Sequence, residues 1–397
     1  VEESAWIDVD SILVDGYKSP FVFSAEIDPL EQTGMVSLSE SEDGTCYILK
    51  NDACMVVINR STANIEQYYT KEGYEICGSN GNGYYLLNYT DSEFTGTGKQ
   101  ETAFKGGVGS VIRQSDELVE ISVKAEELAG LPIDMDFRFV MTSDTPGLYM
   151  YAMVNQSENA DPDREFAIGQ SRYSIKFDYE EFPYSSVGNG DLIDIAGPGD
   201  FAEMDPLFDS TYVLNDGSIY SKYKNLEYQF ESYFCGAYGN QGGLSLITAS
   251  RDWAGGGYTK QDIDVHGGTG NTFIVNWHLS TGHNGTAEVD IQDGYEKLFG
   301  PVLWYANTSV SSKEEAKEDA WRQTQEEMEK WPYAWMEEEQ YAADSRSTLK
   351  GKFSVTNGTI DPTVKNDITV EGAVGWAVLS DARSDYWALD NGYYEFY

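Results

Sequence analysis

Histidine is nearly absent from this chain, with three in 397 residues: His266, His278 and His283. Basic residues are scarce as well, 26 Lys and Arg against 67 Asp and Glu, for a net charge of −41. That balance argues against a nucleic-acid partner, because phosphate binding needs a basic footprint. No HExxH, no nucleophile-elbow serine and no EF-hand loop occurs, so zinc proteases, serine hydrolases and calcium sensors lack support. His278 and His283 have no third ligand at a metal-binding spacing. Long apolar runs of about 18 residues are missing too, and no segment reads as a membrane span. The glycine-rich SNGNG at 79–83 lacks the lysine and following helix of a phosphate loop, and reads as a turn.

Cysteine is sparse. Cys46, Cys54, Cys77 and Cys235 allow three pairings and fit no zinc motif; Cys46 with Cys54 across a hairpin is the first expectation. Six N-x-Ser/Thr sequons stand at Asn59, Asn88, Asn155, Asn284, Asn307 and Asn357, more than chance suggests, and point to a glycosylated protein. The chain opens at Val1 without a leader, as a processed secretory protein does. Its acidity suits an extracellular setting, where salt screens self-repulsion. Secreted is the expected location.

What is abundant is aromatic: 14% of residues, 28 Tyr and 9 Trp among them, which argues strongly against disorder. Short apolar runs such as CYILK, CMVVIN, GYYLLNY and LVEISVKAEE alternate with Gly, Asn, Asp and Ser clusters, the signature of meandering strands. In NTFIVNWHLS at 271–280, Phe273, Val275, Trp277 and Leu279 are expected on one face, with Thr272, Ile274, Asn276 and His278 on the other. One long helix is expected. Ser312 and Glu315 form a capping box, Ala316, Ala320, Thr324, Met328 and Trp331 recur at helical spacing, and Pro332 ends the segment. It follows a buried strand, GPVLWYANT, taken to begin at Gly300-Pro301. The fold class is therefore mainly β, a large antiparallel sandwich with a single late helix. A polar linker near 337–347 separates residues 1–345 from a short β unit at 346–397, which ends without closing strands.

Against this acidity, clusters of cations stand out. Lys222 and Lys224 sit two apart in DGSIYSKYKNLEY, where like charge favours a neutral amine able to take a proton. Arg172 and Lys176 lie in IGQSRYSIKFD. Singly, each is an ordinary strand residue.

Together, and in order, these segments resemble the rhamnogalacturonan lyases of polysaccharide lyase family four. GPVLWYANT, the helix and WPYAW carry the resemblance, as do DFRFVMTSDTPGLYMYAMV, IGQSRYSIKFD, DGSIYSKYK, SRDWAGGGYTKQDI and WHLSTGHNG, over roughly residues 130–345. The family implies a galactose-mutarotase-like β-supersandwich over 1–345, then a fibronectin type III-like domain, here incomplete at 346–397. It implies Lys222 as the base and His283 as the acid of a β-elimination. Arg172 and Lys176 would offset the uronate carboxylate, with Lys224, Asn276 and His278 lining the substrate cleft. The implied substrate is the acidic polysaccharide rhamnogalacturonan I. No cofactor is required, and a structural calcium ion is compatible with the scheme. Two other readings stand beside it. One is an extracellular structural glycoprotein that reuses the fold and self-assembles through its unfinished C-terminal β unit. The other is a carbohydrate-binding module that grips pectin without cutting it.

Overall fold

The structure is a computed structural model. It describes residues 27–347 except 78–81, 98–99, 198, 204, 208–210, 222–232, 240–241, 254–262, 268–270, 281–287, 293 and 308–309. At 178, 263–264, 271–273 and 275–280 it describes the backbone alone.

Strands β1 to β5 are Ser37–Glu40, Cys46–Lys50, Cys54–Asn59, Ile65–Thr70 and Gly83–Asp91. Strands β6 to β10 are Glu101–Ala103, Val108–Gln114, Leu118–Ala125, Ile133–Thr142 and Gly147–Gln156. Strands β11 to β15 are Phe166–Asp178, Tyr184–Val187, Ile193–Asp194, Thr211–Val213 and Ile219–Ser221. Strands β16 to β21 are Phe234–Gly239, Gly242–Ile247, Ile263–Gly267, Asn271–Ser280, Val289–Asp290 and Glu296–Asn307, and helix α1 is Lys313–Lys330.

The fold is mainly β, as expected. One sheet runs β1-β2-β3-β4-β5-β11-β19-β18, with β6 added to β5 and β20 to β11. The other runs β13-β12-β16-β17-β21-β10-β9-β8-β7, and β14 and β15 form a separate hairpin. Alternation decides which residues meet between the sheets. From the first come Tyr85, Leu87, Tyr173, Ile175 and Phe177; from the second come Val119, Ile121, Val123, Phe137 and Trp304. Tyr85 meets Phe137 edge-on at 4.9 Å, and Tyr173 lies 6.1 Å from Trp304. Such ring pairs add about 0.5–1.5 kcal/mol beyond their buried area. The Tyr173 hydroxyl accepts from Ile65 N at 3.0 Å and donates to Ala63 O at 2.9 Å, so this buried ring carries no orphaned polar group.

Strand β21 continues through Gly300-Pro301 instead of starting there. Opposite, β10 shifts register between Met150 and Ala152, a bulge that accommodates the proline without ending the strand. Gly300 has φ 124°, and a Cβ there would lie 2.8 Å from the Tyr151 Cβ, so only glycine fits.

Helix α1 packs on β16, β17 and β21. Ser312 Oγ accepts from Glu315 N at 3.1 Å, and the Glu315 carboxylate accepts from Ser311 N at 2.9 Å, a reciprocal cap. Ala316, Ala320 and Thr324 are buried as expected, but Met328 is 39% exposed and Glu327 takes its place. A step of four drifts: residue 328 is rotated about 120° from 316, whereas 327 returns to within about 20°.

Two compact units divide the chain, residues 1–331 and 332–397. In the second, Tyr333 and Trp335 stack at 5.0 Å. The fibronectin type III-like unit expected over 346–397 lies, but for its first two residues, outside the described residues.

The expected cysteine pairing is not found; none of the four forms a disulfide. Cys46 packs with Ile48, Met55 and Val57 on one face of the first sheet, while Cys54 belongs to the central core on the other. Their register partners are Asn59 and Thr70, several residues apart. A bridge needs Cβ atoms about 4 Å apart, which opposite faces of a sheet forbid.

Two sequons are also built into the fold. Asn59 donates to Glu66 Oε1 at 2.9 Å and is 8% exposed. Asn307 is 0% exposed and donates to Ala316 O and Asp319 Oδ2, each at 2.9 Å. In both, the amide a glycan would occupy is already used inside the protein. Asn88, half-buried, donates to Glu101 at 3.0 Å, and Asn155 is half-buried as well. Asn284 and Asn357 lie outside the described residues.

Candidate active site

Strand β11 explains how two cations come to lie together in an acidic protein. Its Tyr173, Ile175 and Phe177 point into the core, so Arg172, Ser174 and Lys176 share the opposite face. That face is not open to solvent: Arg172 is 6% exposed, Ser174 1% and Lys176 2%. The Lys176 Nζ stands 5.1 Å from the centroid of the Tyr84 ring, a contact an ammonium makes favourably. Its backbone amide donates to Asn82 O at 3.0 Å. The Ser174 hydroxyl and Asn82 Oδ1 are buried and have no hydrogen-bond partner among the described residues. Orphaned buried polar atoms of this kind are rare unless a bound group satisfies them. With two cations flanking Ser174 away from water, an anion placed here would feel their charge far more strongly than at a surface.

Strand β19 lies on the other side of β11. Lys176 is paired with Phe273, Tyr173 with Asn276, and Arg172 with Trp277. The register then slips, and Ser171 pairs with Leu279. The slip falls at His278, so the even backbone alternation read from NTFIVNWHLS breaks there. Asn276 aligns with a core-facing residue of β11, not with Arg172 or Lys176. Lys222, Lys224 and His283 lie outside the described residues; Lys222 directly follows β15, whose Tyr220 is buried.

One residue emerges that motif reading did not select. His266 on β18 pairs with Phe273, which in turn pairs with Lys176, so all three occupy one row across the sheet. It is 5% exposed, and its Nδ1 lies 3.0 Å from Gly267 O. A carbonyl can only accept, so Nδ1 carries the proton and, in the neutral ring, Nε2 is the acceptor. Gly267 N in turn donates to the Tyr220 hydroxyl at 2.7 Å. The signal for His266 was its period-two placement in IDVHG; the signal for Ser174 was its position midway between Arg172 and Lys176.

Residues 75–192 match the profile of the rhamnogalacturonate lyase family, and Arg172, Ser174 and Lys176 lie inside that stretch. The chain resembles rhamnogalacturonate lyases. A curated "Rhamnogalacturonate lyase" of Dickeya dadantii (strain 3937) is 29% identical over 258 residues, 63% of this chain and 42% of that protein. The chain thus spans less than half the length of this lyase relative. Among solved structures, a galactose mutarotase related enzyme from Lactobacillus acidophilus overlaps 67% of this chain and 99% of its own, at TM-score 0.39 and 12% identity. A galactose mutarotase-like protein from Lactobacillus casei ATCC 334 overlaps 66% and 99%, again at TM-score 0.39 and 12% identity.

Proposed function

We propose that this chain is a secreted polysaccharide lyase that cuts the rhamnose–galacturonate linkage of rhamnogalacturonan I by β-elimination. The observation that carries this reading is the buried row Arg172, Ser174 and Lys176, which lies within the family-matched stretch and includes an unpartnered hydroxyl. A uronate C5 proton is hard to remove while the adjacent carboxylate keeps its full charge. Two cations beside that carboxylate stabilise the enolate-like charge that develops as the proton leaves. In the scheme implied by the lyase resemblance, Lys222 as a free amine takes the C5 proton. The C5 electron pair forms the C4–C5 double bond, the C4–O bond breaks, and His283 protonates the departing oxygen. The scheme needs no cofactor, and any structural calcium ion stands outside its steps.

The test is the ultraviolet absorbance of the unsaturated uronate, followed with purified protein and rhamnogalacturonan I. The wild type should generate the signal and Lys222→Ala should lose it. No product and no binding from a folded wild type would overturn the reading.

A further inference from the structure

We propose that Ser174 and Asn82 are substrate-contacting residues of this site. The serine hydroxyl donates to the uronate carboxylate, and Asn82 Oδ1 accepts from a hydroxyl of the same sugar. The inference rests on the lyase reading above and deepens it.

Three observations converge. The first is burial without a partner. Ser174 is 1% exposed and Asn82 2%, and neither Ser174 Oγ nor Asn82 Oδ1 has a hydrogen-bond partner among the described residues. Stripping water from a polar atom without replacing it is unfavourable, and a fold tolerates it where a bound group supplies the missing partner. The second is placement. Ser174 pairs with Tyr84, and Lys176 N donates at 3.0 Å to Asn82 O, so Asn82 lies diagonally across from Ser174. Residues opposite one another share a face, and diagonal neighbours on it stand about 7–8 Å apart, a span that one pyranose ring bridges. The third is the balance of donors and acceptors. Ser174 lies between Arg172 and Lys176 on their face of β11, where its proton meets the carboxylate those charges attract. The two cations only donate, whereas an amide oxygen only accepts. A sugar acid carries a carboxylate that accepts and hydroxyls that donate, and it satisfies both orphaned atoms. A small inorganic anion would serve Ser174 and leave Asn82 Oδ1 bare. The two contacts draw on Arg172 and Lys176 for charge alone.

The experiment follows elimination of rhamnogalacturonan I oligosaccharides by wild type, Ser174→Ala and Asn82→Leu, beside urea unfolding of each free protein. The Ser174 bond strengthens as charge moves onto the carboxylate, so Ser174→Ala should lower kcat about 10–100-fold with KM within about threefold. Ser174→Thr, which keeps the hydroxyl, should retain most of kcat. Asn82→Leu removes a contact made equally before and during reaction, and should raise KM about tenfold with kcat within about threefold. Asn82→Ala serves if the leucine variant does not fold. Free Ser174→Ala should unfold at the wild-type urea midpoint or above it, because the lost hydroxyl holds no bond in the free protein. A structural role, such as holding an internal water, predicts the reverse: a lower midpoint with unchanged kinetics. That outcome, or kcat and KM near wild type in folded Ser174→Ala, would overturn the inference while leaving the lyase reading intact. An unchanged KM in a folded Asn82 variant would remove Asn82 from the contact. A wild type that neither binds nor eliminates would overturn both readings.

Discussion

Glu327 is the point where the helix tests its own packing. Its carboxylate is 0% exposed, yet it sits on the buried face of α1. Oε2 accepts from the Tyr149 hydroxyl at 2.8 Å, and Oε1 accepts from Gln323 Nε2 at 2.8 Å and Lys330 Nζ at 3.0 Å. Burial, and then the Glu327 charge, push the Tyr149 hydroxyl well above its usual range, so it remains a donor at any pH the fold survives. Replacing Glu327 with leucine removes three acceptor contacts at once, but their costs differ. Lys330 is 38% exposed, so water takes over and the loss is about 0–1 kcal/mol. Tyr149 can turn to Thr145 Oγ1 at 3.3 Å, a poorer bond, for a loss of about 0.5–1 kcal/mol. Gln323 is 7% exposed and loses this acceptor, a cost of about 1–3 kcal/mol. Leucine burial and relief of carboxylate desolvation return about 1–2 kcal/mol. The midpoints of these contributions leave a net loss of about 2 kcal/mol for Glu327→Leu, read by equilibrium urea unfolding. Glu327→Gln keeps one acceptor oxygen and should lose less. A leucine variant as stable as wild type would mean desolvation cancels the hydrogen bonds, and would refute the view that this network anchors the helix.

In the proposed elimination, Lys176→Met preserves side-chain volume but removes one of the two charges assigned to the uronate carboxylate. The elimination rate should fall about 10²–10³-fold, and a rate near wild type would remove Lys176 from the chemistry. Burial pushes the Cys54 thiol up to about 12, and all four cysteines are buried. Native protein should therefore be nearly silent to a thiol reagent, while denatured, unreduced protein should titrate four thiols; only two would restore a disulfide. Arg164 forks onto Asp91, with Nε to Oδ1 at 3.0 Å and Nη2 to Oδ2 at 2.7 Å, and these bonds hold the Asp91 carboxyl below its usual range. A depressed folded value means stability present above the unfolded value of about 4 and lost as pH falls through the folded one. Asp91→Asn should lower stability at neutral pH and flatten the decline below about pH 4, and an unaltered acid limb would count against the pair.

Several features were determined by the sequence alone because they rest on neighbours in the chain. The alternation of Arg172, Ser174 and Lys176 with Tyr173, Ile175 and Phe177 follows from the period of a strand. The cap at Ser312 and the stop before Pro332 follow from which amides a helix end leaves bare. The family resemblance was legible in the same segments, in their order. Other features were decided only by tertiary structure. Nothing local says that His266 shares a row with Lys176, because that depends on β18 pairing with β19 and β19 with β11 across long stretches of chain. Nor does local pattern show the slip at His278, the opposite faces of Cys46 and Cys54, or the capture of Asn307 by α1. The dividing line is physical. Periodicity is fixed by bond geometry within a few residues, whereas register and pairing are chosen by the whole core, where one slipped residue would turn every side chain of a strand to the wrong face.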